Sequence, residues 1–298
     1  MKLERIKCKP FIHAWDLIVS DSYLIGCTGK RVAVLDREYQ LLHTIEGLDY
    51  VYSADVSPDE KKLLLISNDN KFYITDFESG EKIRVTVKSP YNYNLEGRGC
   101  WSFDGKSIFI LVMNNKTLHS ALRCYCADDL TQYRDSLTEE YVLSEIHRLN
   151  VEKKYLLIGS SVVDKKQYFL YYDGCTYTRY PLENSESMVI FRSDVDENTG
   201  KVTLYTTQGC YRYSAEGEFL KEIRYHNLKE NDDIQKYAHS SCGNYIYLAS
   251  KSGFYLIDAK TEELIAYVPE EYGVQNFEQV APDVIALATW SGVKLYRY

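Results

Sequence analysis

The segment from Gly47 to Ile83 restricts the fold more than any other part of the sequence. It reads GLDYVYSADVSPDEKKLLLISNDNKFYITDFESGEKI, with short strand-like runs separated by turn residues. Val51–Val56 alternates sides before a Ser-Pro-Asp-Glu turn, and Leu63–Ser67 is almost entirely apolar, as in a strand buried on both faces. Lys71–Asp76 is the third run, and Glu81–Val87 is the fourth. This pattern predicts four antiparallel strands joined by tight turns.

The same pattern recurs along the whole chain. The residue that closes the third strand of each copy can be identified seven times: Asp36, Asp76, Ala127, Asp173, Ser214, Asp258 and Arg297. These positions are spaced 39 to 51 residues apart, near the 40–50 residues of one propeller blade. Seven copies with no linker-like segment between them predict an all-β, seven-bladed β-propeller that forms one domain over residues 1–298.

The two ends of the chain are predicted to meet in one blade. The last copy has three strands of its own: Asn276–Val280, Val284–Trp290 and Val293–Tyr298. Leu3–Pro10 precedes the first copy and has no other assignment. We therefore expect this N-terminal strand to join the C-terminal blade and close the ring, which removes two exposed sheet edges.

Three segments do not fit the blade pattern simply. Tyr91–Gly99 is rich in Asn, Gly and Tyr, and it reads as a loop between the second and third blades. Thr138–Leu143 lengthens the next connection and is compatible with a short helical turn. Glu218–Tyr237 has apolar residues at helical spacing, but the blade count requires a strand there.

The Gly47–Ile83 segment resembles a blade of the WD-repeat (tryptophan–aspartate repeat) family. The family pattern Val-x-x-Val-x-Phe-Ser-Pro-Asp-Gly and its closing Trp-Asp are matched by Val51, Ala54, Val56, Ser57, Pro58 and Asp59, with Glu60 in the glycine position, and by Thr75-Asp76. Ile234–Leu264 and Trp101–Lys106 are weaker copies. However, Gly47-Leu48 replaces the family's Gly-His, and no blade has Trp before its closing residue. The resemblance implies a degenerate propeller without the buried His–Ser/Thr–Asp–Trp network of that family.

The composition bears on the binding partners and the cellular location of the protein. The chain has 43 acidic and 35 basic residues and a net charge of −8, which argues against nonspecific nucleic-acid binding. The N-terminus lacks the apolar region of a secretory signal. The sequence also contains no apolar run of 18 residues, so no membrane span is predicted. Scattered cysteines suggest reduced thiols rather than a disulfide framework. We therefore predict a cytoplasmic protein that binds neither nucleic acid nor membrane.

The sequence contains no recognisable motif for catalysis or for a cofactor. The six histidines are spread over different blades, and there is no Gly-x-Ser-x-Gly or Cys-x-x-Cys motif. His239 and His147 take positions where a buried histidine is expected. Glu145 and Asp55 could approach the central channel as a carboxylate pair. The expectation is no metal, no cofactor and no assigned catalytic residue.

Binding is the function that the pattern favours. Propellers bind at the channel rim through the loops that lead into each first strand, and Tyr, Trp and Arg dominate protein-interaction hot spots. Alignment to the best blade places on this rim Trp15, Tyr50, Tyr52, Arg98, Glu145, Gln235 and Asn276, and the adjoining loop adds Tyr91 and Tyr93 to the predicted binding residues. We predict an interaction platform for another protein or peptide. The alternatives are a hydrolase of the lactonase kind and a small-molecule or glycan receptor, and the sequence indicates no oligomeric state.

Overall fold

The structure is a computed structural model of the chain. It describes residues 3–6, 14–67, 70–93, 98–137, 140–150, 152–185, 188–196, 199–206, 209–223 and 232–298. The chain divides into two compact units, which are described separately: unit 1 is Met1–Val51 with Arg224–Tyr298, and unit 2 is Tyr52–Ile223. Across the described residues the secondary structure consists of strands and turns, without helices.

Unit 2 contains four antiparallel sheets, sheets 2 to 5 in chain order. Sheet 2 contains β6 (Val51–Val56), β7 (Lys62–Ser67), β8 (Lys71–Asp76) and β9 (Lys82–Thr86). Sheet 3 contains β10 (Tyr91–Tyr93), β11 (Gly99–Trp101), β12 (Ser107–Asn114), β13 (Ser120–Cys126) and β14 (Gln132–Ser136). Sheet 4 contains β15 (Tyr141–Leu149), β16 (Lys154–Ser161), β17 (Gln167–Tyr172) and β18 (Tyr177–Pro181). Sheet 5 contains β19 (Ile190–Asp196), β20 (Lys201–Thr206), β21 (Gly209–Tyr213) and β22 (Phe219–Glu222).

Unit 1 contains three antiparallel sheets. Sheet 1 contains β2 (Asp16–Val19), β3 (Leu24–Cys27), β4 (Val32–Leu35) and β5 (Leu41–Ile45). Sheet 6 contains β23 (Ile234–His239), β24 (Tyr245–Ser250), β25 (Gly253–Asp258) and β26 (Leu264–Pro269). Sheet 7 contains β27 (Val274–Ala281), β28 (Val284–Thr289) and β29 (Gly292–Arg297), and its outer strand is β1 (Glu4–Ile6).

The hydrophobic core lies between neighbouring sheets. In unit 2, apolar side chains pack sheet 2 on sheet 3, sheet 3 on sheet 4 and sheet 4 on sheet 5. In unit 1, the same kind of core joins sheet 7 to sheets 1 and 6. Most second and third strands are buried almost throughout because they are covered on both faces, as the run Leu63–Ser67 predicted, whereas β21 of sheet 5 is only partly buried.

A small polar residue ends or directly follows every second strand. The seven are Thr28, Ser67, Asn114, Ser161, Thr206, Ser250 and Thr289. In four sheets the hydroxyl donates to the carbonyl oxygen three residues later, at 2.8 to 3.2 Å. The side chains of Asn114 and Ser161 instead accept backbone N–H groups of the same turn. This side-chain capping fixes the turn between the second and third strands.

Sheet 6 also has a polar cluster in place of the WD-repeat network. The carboxylate of Asp232, in the loop before β23, accepts hydrogen bonds from the Ser250 hydroxyl at 2.8 Å and the Tyr255 hydroxyl at 2.9 Å. It also accepts hydrogen bonds from the Ser252 hydroxyl and the Ser252 backbone N–H group. Because these residues come from the entry loop, the second–third turn and the third strand, they tie one end of the sheet together.

The predicted strand order is confirmed, and the predicted closing strand is found in part. Glu4–Ile6 pairs antiparallel with β29, while residues 7–10 of the predicted strand lie outside the described residues. The strand interpretation of the 218–237 region is confirmed at Phe219–Glu222 and Ile234–His239, with residues 224–231 outside the described part.

Two local predictions were wrong. Tyr91–Tyr93 is not loop but a strand, which pairs with the far end of the eight-residue strand β12. Tyr141–Leu143 begins the nine-residue strand β15 rather than a helical turn, because Tyr141 and Leu143 are buried against the core between sheets 3 and 4. Thr138 and Glu139 lie outside the described residues.

Candidate functional site

Each sheet has two ends, and the predicted site residues belong mainly to one of them. We call this the entry end: it carries the loop before the first strand and the turn between the second and third strands. Trp15 and Tyr50 occupy entry loops of unit 1, before β2 and β6 respectively. Trp290 lies in the second–third turn of sheet 7, and Tyr272 lies in the loop before β27. The entry loops and turns of unit 1 therefore supply four large aromatic side chains.

These four rings form a continuous row, which we call the aromatic surface. Its ring centroids lie 5.9 Å apart between Tyr50 and Trp15, 4.3 Å between Trp15 and Trp290, and 6.4 Å between Trp290 and Tyr272. The contacts are tilted or edge-on, which is the arrangement that aromatic quadrupoles favour. Tyr272 is 65% exposed and Trp290 is 37% exposed, whereas Trp15 and Tyr50 are half-buried. The prediction named Trp15 and Tyr50 but missed Trp290 and Tyr272.

Backbone hydrogen bonds hold this surface in place. The N–H groups of Ala14 and Trp15 donate to the carbonyl oxygens of Thr289 and Cys27, each at 2.8 Å. The Val51 N–H donates to the carbonyl oxygen of Gly29 at 2.7 Å. Gly29 has a φ of +73°, and a Cβ there would lie 3.2 Å from the Tyr50 ring, so glycine serves both the turn and the ring packing. The aromatic surface is therefore preorganised.

Asn276 and Gln235, also predicted for the rim, have different surroundings. Asn276 is 1% exposed. Its amide nitrogen donates to Asp16 at 2.6 Å, and its oxygen accepts from Lys236 Nζ at 2.9 Å. Lys236, which the prediction missed, also donates to the Phe277 carbonyl oxygen at 2.8 Å and to Glu278 at 2.5 Å. This buried network joins sheets 1, 6 and 7, so Asn276 braces the fold, while Gln235 is half-buried beside it.

The predicted polar residues of unit 2 form a second set of braces. Glu145 is 3% exposed and pairs with Arg98, whose Nε lies 3.1 Å from its carboxylate. Asp55 of sheet 2 accepts the Trp101 backbone N–H at 2.8 Å and the Arg148 guanidinium at 3.2 Å. Burial raises the pKa of Asp55, although Arg148 and the Trp101 amide act to lower it. Because each carboxylate is paired with an arginine, the two do not form a shared acid–base pair.

His147 projects from the same strand as Glu145. Its Nε2 lies 2.6 Å from the Ser193 hydroxyl and 3.9 Å from the Glu145 carboxylate. Burial lowers the pKa of His147 to about 4, and Arg98 and Arg192 act in the same direction while Asp194 opposes them. The serine and the carboxylate face the same ring nitrogen, whereas a proton relay places them on opposite nitrogens. His239, expected to be buried, is exposed instead, with Nε2 2.7 Å from the Tyr237 hydroxyl.

The remaining predicted residues lie separately on unit 2. Tyr52 is 38% exposed on β6. Tyr91 is half-buried, with the Arg123 guanidinium 4.5 Å above its ring. Tyr93 belongs to β10, but its side chain is outside the part that the structure describes. Among the predicted residues of unit 2, Arg98 and Glu145 form a direct ion pair.

The described residues also bear on metal binding, disulfide formation and membrane crossing. Among them, no three His, Cys, Asp or Glu side chains are placed to hold a metal ion. The seven described cysteines are free thiols, and Cys8 is outside the described part. No helix in that part of the chain is long and apolar enough to cross a membrane.

Solved structures define the class of fold. The Dos1 propeller is similar with a TM-score of 0.65 and 13% identity, over 96% of this chain and 79% of that one. The Myceliophteria thermophila Cps50 (Swd1) β-propeller domain has a TM-score of 0.69 and 11% identity, over 99% and 98%. Kuenenia stuttgartiensis hydrazine synthase has a TM-score of 0.69 and 13% identity, over 98% and 97%. No protein-family model and no curated protein matches the sequence.

The chain therefore has the all-β fold of a seven-bladed β-propeller, as the sequence predicted. The seven sheets described above are its blades. Identities of 11% to 13% show this fold alone. Because propellers carry many unrelated functions, the function has to be argued from the side chains.

Proposed function

We propose that this protein is a WD-repeat-like interaction platform that binds another protein or peptide through the aromatic surface of unit 1. The observation that carries this proposal is the row Tyr50, Trp15, Trp290 and Tyr272, with two members substantially exposed. Exposed, contiguous Trp and Tyr side chains are the residues that most often act as anchors of protein interfaces. They have few rotatable bonds, so little conformational entropy is lost on binding.

The two halves of the row have different roles in this proposal. Trp15 and Tyr50 are fixed from below by the backbone contacts described above, and they form the floor of the surface. Trp290 and Tyr272 project further and make the first contact with a partner. Since the loops are already ordered by capped turns, binding proceeds with little backbone movement. Arg98, Glu145 and Asn276 are left out because each is engaged in a bracing contact.

The propellers of Dos1 and Cps50 (Swd1) support the fold of this chain, while the platform proposal itself rests on the aromatic surface. Hydrazine synthase, which has the same fold, is an enzyme, so the fold alone is compatible with the catalytic alternative. The aromatic surface favours binding because exposed Trp and Tyr rings are typical anchors of protein interfaces. A cytoplasmic location and an absence of nucleic-acid and membrane partners stay predictions.

Affinity purification from the native cell tests the proposal. The bait is the full chain in three forms: wild type, the double variant Trp290→Ala with Tyr272→Ala, and the control Tyr133→Ala. Tyr133 is 52% exposed and lies on β14 of unit 2, so it is not one of the four residues of the aromatic surface. A direct partner should bind wild type and the control alike, and its Kd for the double variant should rise roughly 30-fold or more, as for a hot spot worth about 2 kcal/mol.

The double variant must keep its fold for this comparison to be valid. Tyr272 is 65% exposed, whereas Trp290 is 37% exposed and packs edge-on against Trp15, so the melting temperature of the double variant should fall by roughly 5 °C or less. Partners that bind the double variant as tightly as wild type would refute the proposed surface. Failure of the wild-type chain to capture any direct partner, or an equal rise in Kd for the Tyr133→Ala control, would also refute it.

A further inference from the structure

Unit 2 contains a groove at the opposite end of its sheets from the entry end. It has a volume of about 170 Å³ and lies among the first–second turn of sheet 4 and the third–fourth turns of sheets 4 and 5. Tyr171 and Tyr180 contribute two rings with centroids 5.9 Å apart and planes at 80°. The Tyr171 hydroxyl donates to the Ala215 carbonyl oxygen at 2.9 Å, which fixes this ring against sheet 5. The groove therefore has ordered aromatic walls.

Besides Thr176, Thr178 and Ala215, the rest of the lining is charged, with an excess of carboxylates. Glu152, Asp173 and Glu216 line the groove together with one ammonium group, that of Lys154. Lys154 Nζ lies 3.4 Å from Glu152, and both side chains are about half exposed. The Asp173 carboxylate accepts N–H groups of its own turn at 2.7 and 2.8 Å. The pKa of Tyr171 is raised mainly by burial and further by the negative charges of Glu152 and Glu216. The electrostatic field of these carboxylates therefore acts on the Tyr171 ring.

We propose that this groove binds an arginine side chain of a partner protein. A guanidinium group is planar, stacks on aromatic faces and pairs with carboxylates, so it matches both the tyrosine walls and the net negative lining. Glu216 supplies the carboxylate partner, and Glu152 joins it once Lys154 swings away. An uncharged side chain of the same shape would gain only the aromatic contact. This site shares no residue with the aromatic surface and does not depend on it.

A titration of the full chain with small probes tests this site. The probes are the acetylated methylamides of arginine, citrulline and lysine, and the reporter is the ¹³C-labelled methyl group of Ala215, which lines the groove. The Ala215 signal is assigned by its loss in Ala215→Gly. We expect arginine to shift the signal saturably, citrulline to bind much more weakly because it keeps only the aromatic contact, and lysine to bind more weakly than arginine.

Three variants then separate the groove from general electrostatics. Glu216→Gln should weaken arginine binding about three- to fivefold, the upper range for an exposed ion pair. The matched control Glu218→Gln removes a neighbouring exposed carboxylate outside the groove and should leave the affinity unchanged. Lys154→Met should strengthen binding about twofold, because it releases Glu152 and removes a competing cation.

Several results would overturn the proposal. One is the absence of a saturable arginine shift up to the solubility limit, and another is an equal shift with citrulline. Lysine binding as tight as arginine binding would refute the assignment to a guanidinium group. Equal weakening by Glu218→Gln and Glu216→Gln would show that only the overall charge matters.

Discussion

The neutral imidazole of His147 should make the fold of unit 2 sensitive to acid. The side chain is 23% exposed, and its pKa in the folded protein is about 4. In the unfolded chain a histidine has a pKa of about 6.5. Between these two values the unfolded chain binds a proton that the folded protein does not, so lowering the pH favours unfolding. The stability given by the neutral ring is therefore complete above about pH 6.5 and is lost as the pH falls toward 4.

The size of the effect follows from the two pKa values. At pH 5.0 the difference in proton binding lowers the free energy of unfolding by about 2 kcal/mol relative to pH 7.5. The suitable variant is His147→Gln, which cannot be protonated but can keep a hydrogen bond to Ser193. The difference in unfolding free energy between wild type and variant should therefore shift by about 2 kcal/mol between pH 7.5 and 5.0.

Urea unfolding, followed by tryptophan fluorescence at a series of pH values, measures this shift. Taking the difference between the two proteins cancels titrations that they share. The sequence pI is about 5.4, so low protein concentrations are needed near pH 5 to avoid association. A difference that stays constant from pH 7.5 to 5.0 would refute the assignment of a buried, neutral His147.

Asp55 provides an internal check because its shift has the opposite sign. Its pKa is raised in the folded protein, so ionising it costs stability at neutral pH, and this cost shrinks as the pH falls. As the pH falls, the free energy of unfolding of Asp55→Asn should therefore decrease more than that of wild type. The free energy of unfolding of His147→Gln should decrease less than that of wild type. Parallel pH profiles for the two variants would contradict this reasoning.

Two further predictions concern the braces of unit 1. Lys236→Met leaves Asn276 and Glu278 without their cation, so the free energy of unfolding measured in urea should fall by about 3 kcal/mol. The control is Lys251→Met, which breaks the exposed pair with Asp233 and should change that free energy by less than about 0.5 kcal/mol. Equal effects would contradict the role of the buried network. Deletion of residues 1–6 removes β1 and exposes the edge of β29, so scanning calorimetry should show a melting temperature roughly 5 °C lower, and an unchanged value would contradict the closing role of this strand.

The strand order could be predicted because its signals are local. Alternation, apolar runs and turn residues are all visible within Gly47–Ile83, and they recur at a spacing that the structure confirms. The sequence contains a second repeating signal, the small polar residue at the end of each second strand. This residue occurs in all seven blades and could also have been used to identify them. The predicted loop at Tyr91–Tyr93 was wrong because its pairing partner lies about twenty residues further along the chain. That contact is not visible in local composition.

The candidate site was harder to predict because it depends on side-chain direction. Trp15 and Tyr50 could be found from their place before a first strand, but Trp290 lies in a second–third turn that the prediction treated as the end of a strand. Tyr272 lies only two residues before β27 and resembles many other tyrosines of this chain. Only the packing of four entry-end segments brings these rings together.

The buried bracing residues show most clearly why the sequence alone did not predict the direction of each side chain. In sheets 4 to 7 the pairing register shifts by one residue near the start of the first strand, just before Glu145, Arg192, Lys236 and Asn276. A one-residue shift reverses which face a side chain occupies. Glu145, Lys236 and Asn276 therefore turn into the protein, while Gln235 takes the irregular position itself. An alignment without this shift finds the right segment of each blade but assigns the residues to the wrong face. For this reason the aromatic surface, built on loops outside the shifted register, is the stronger candidate for binding.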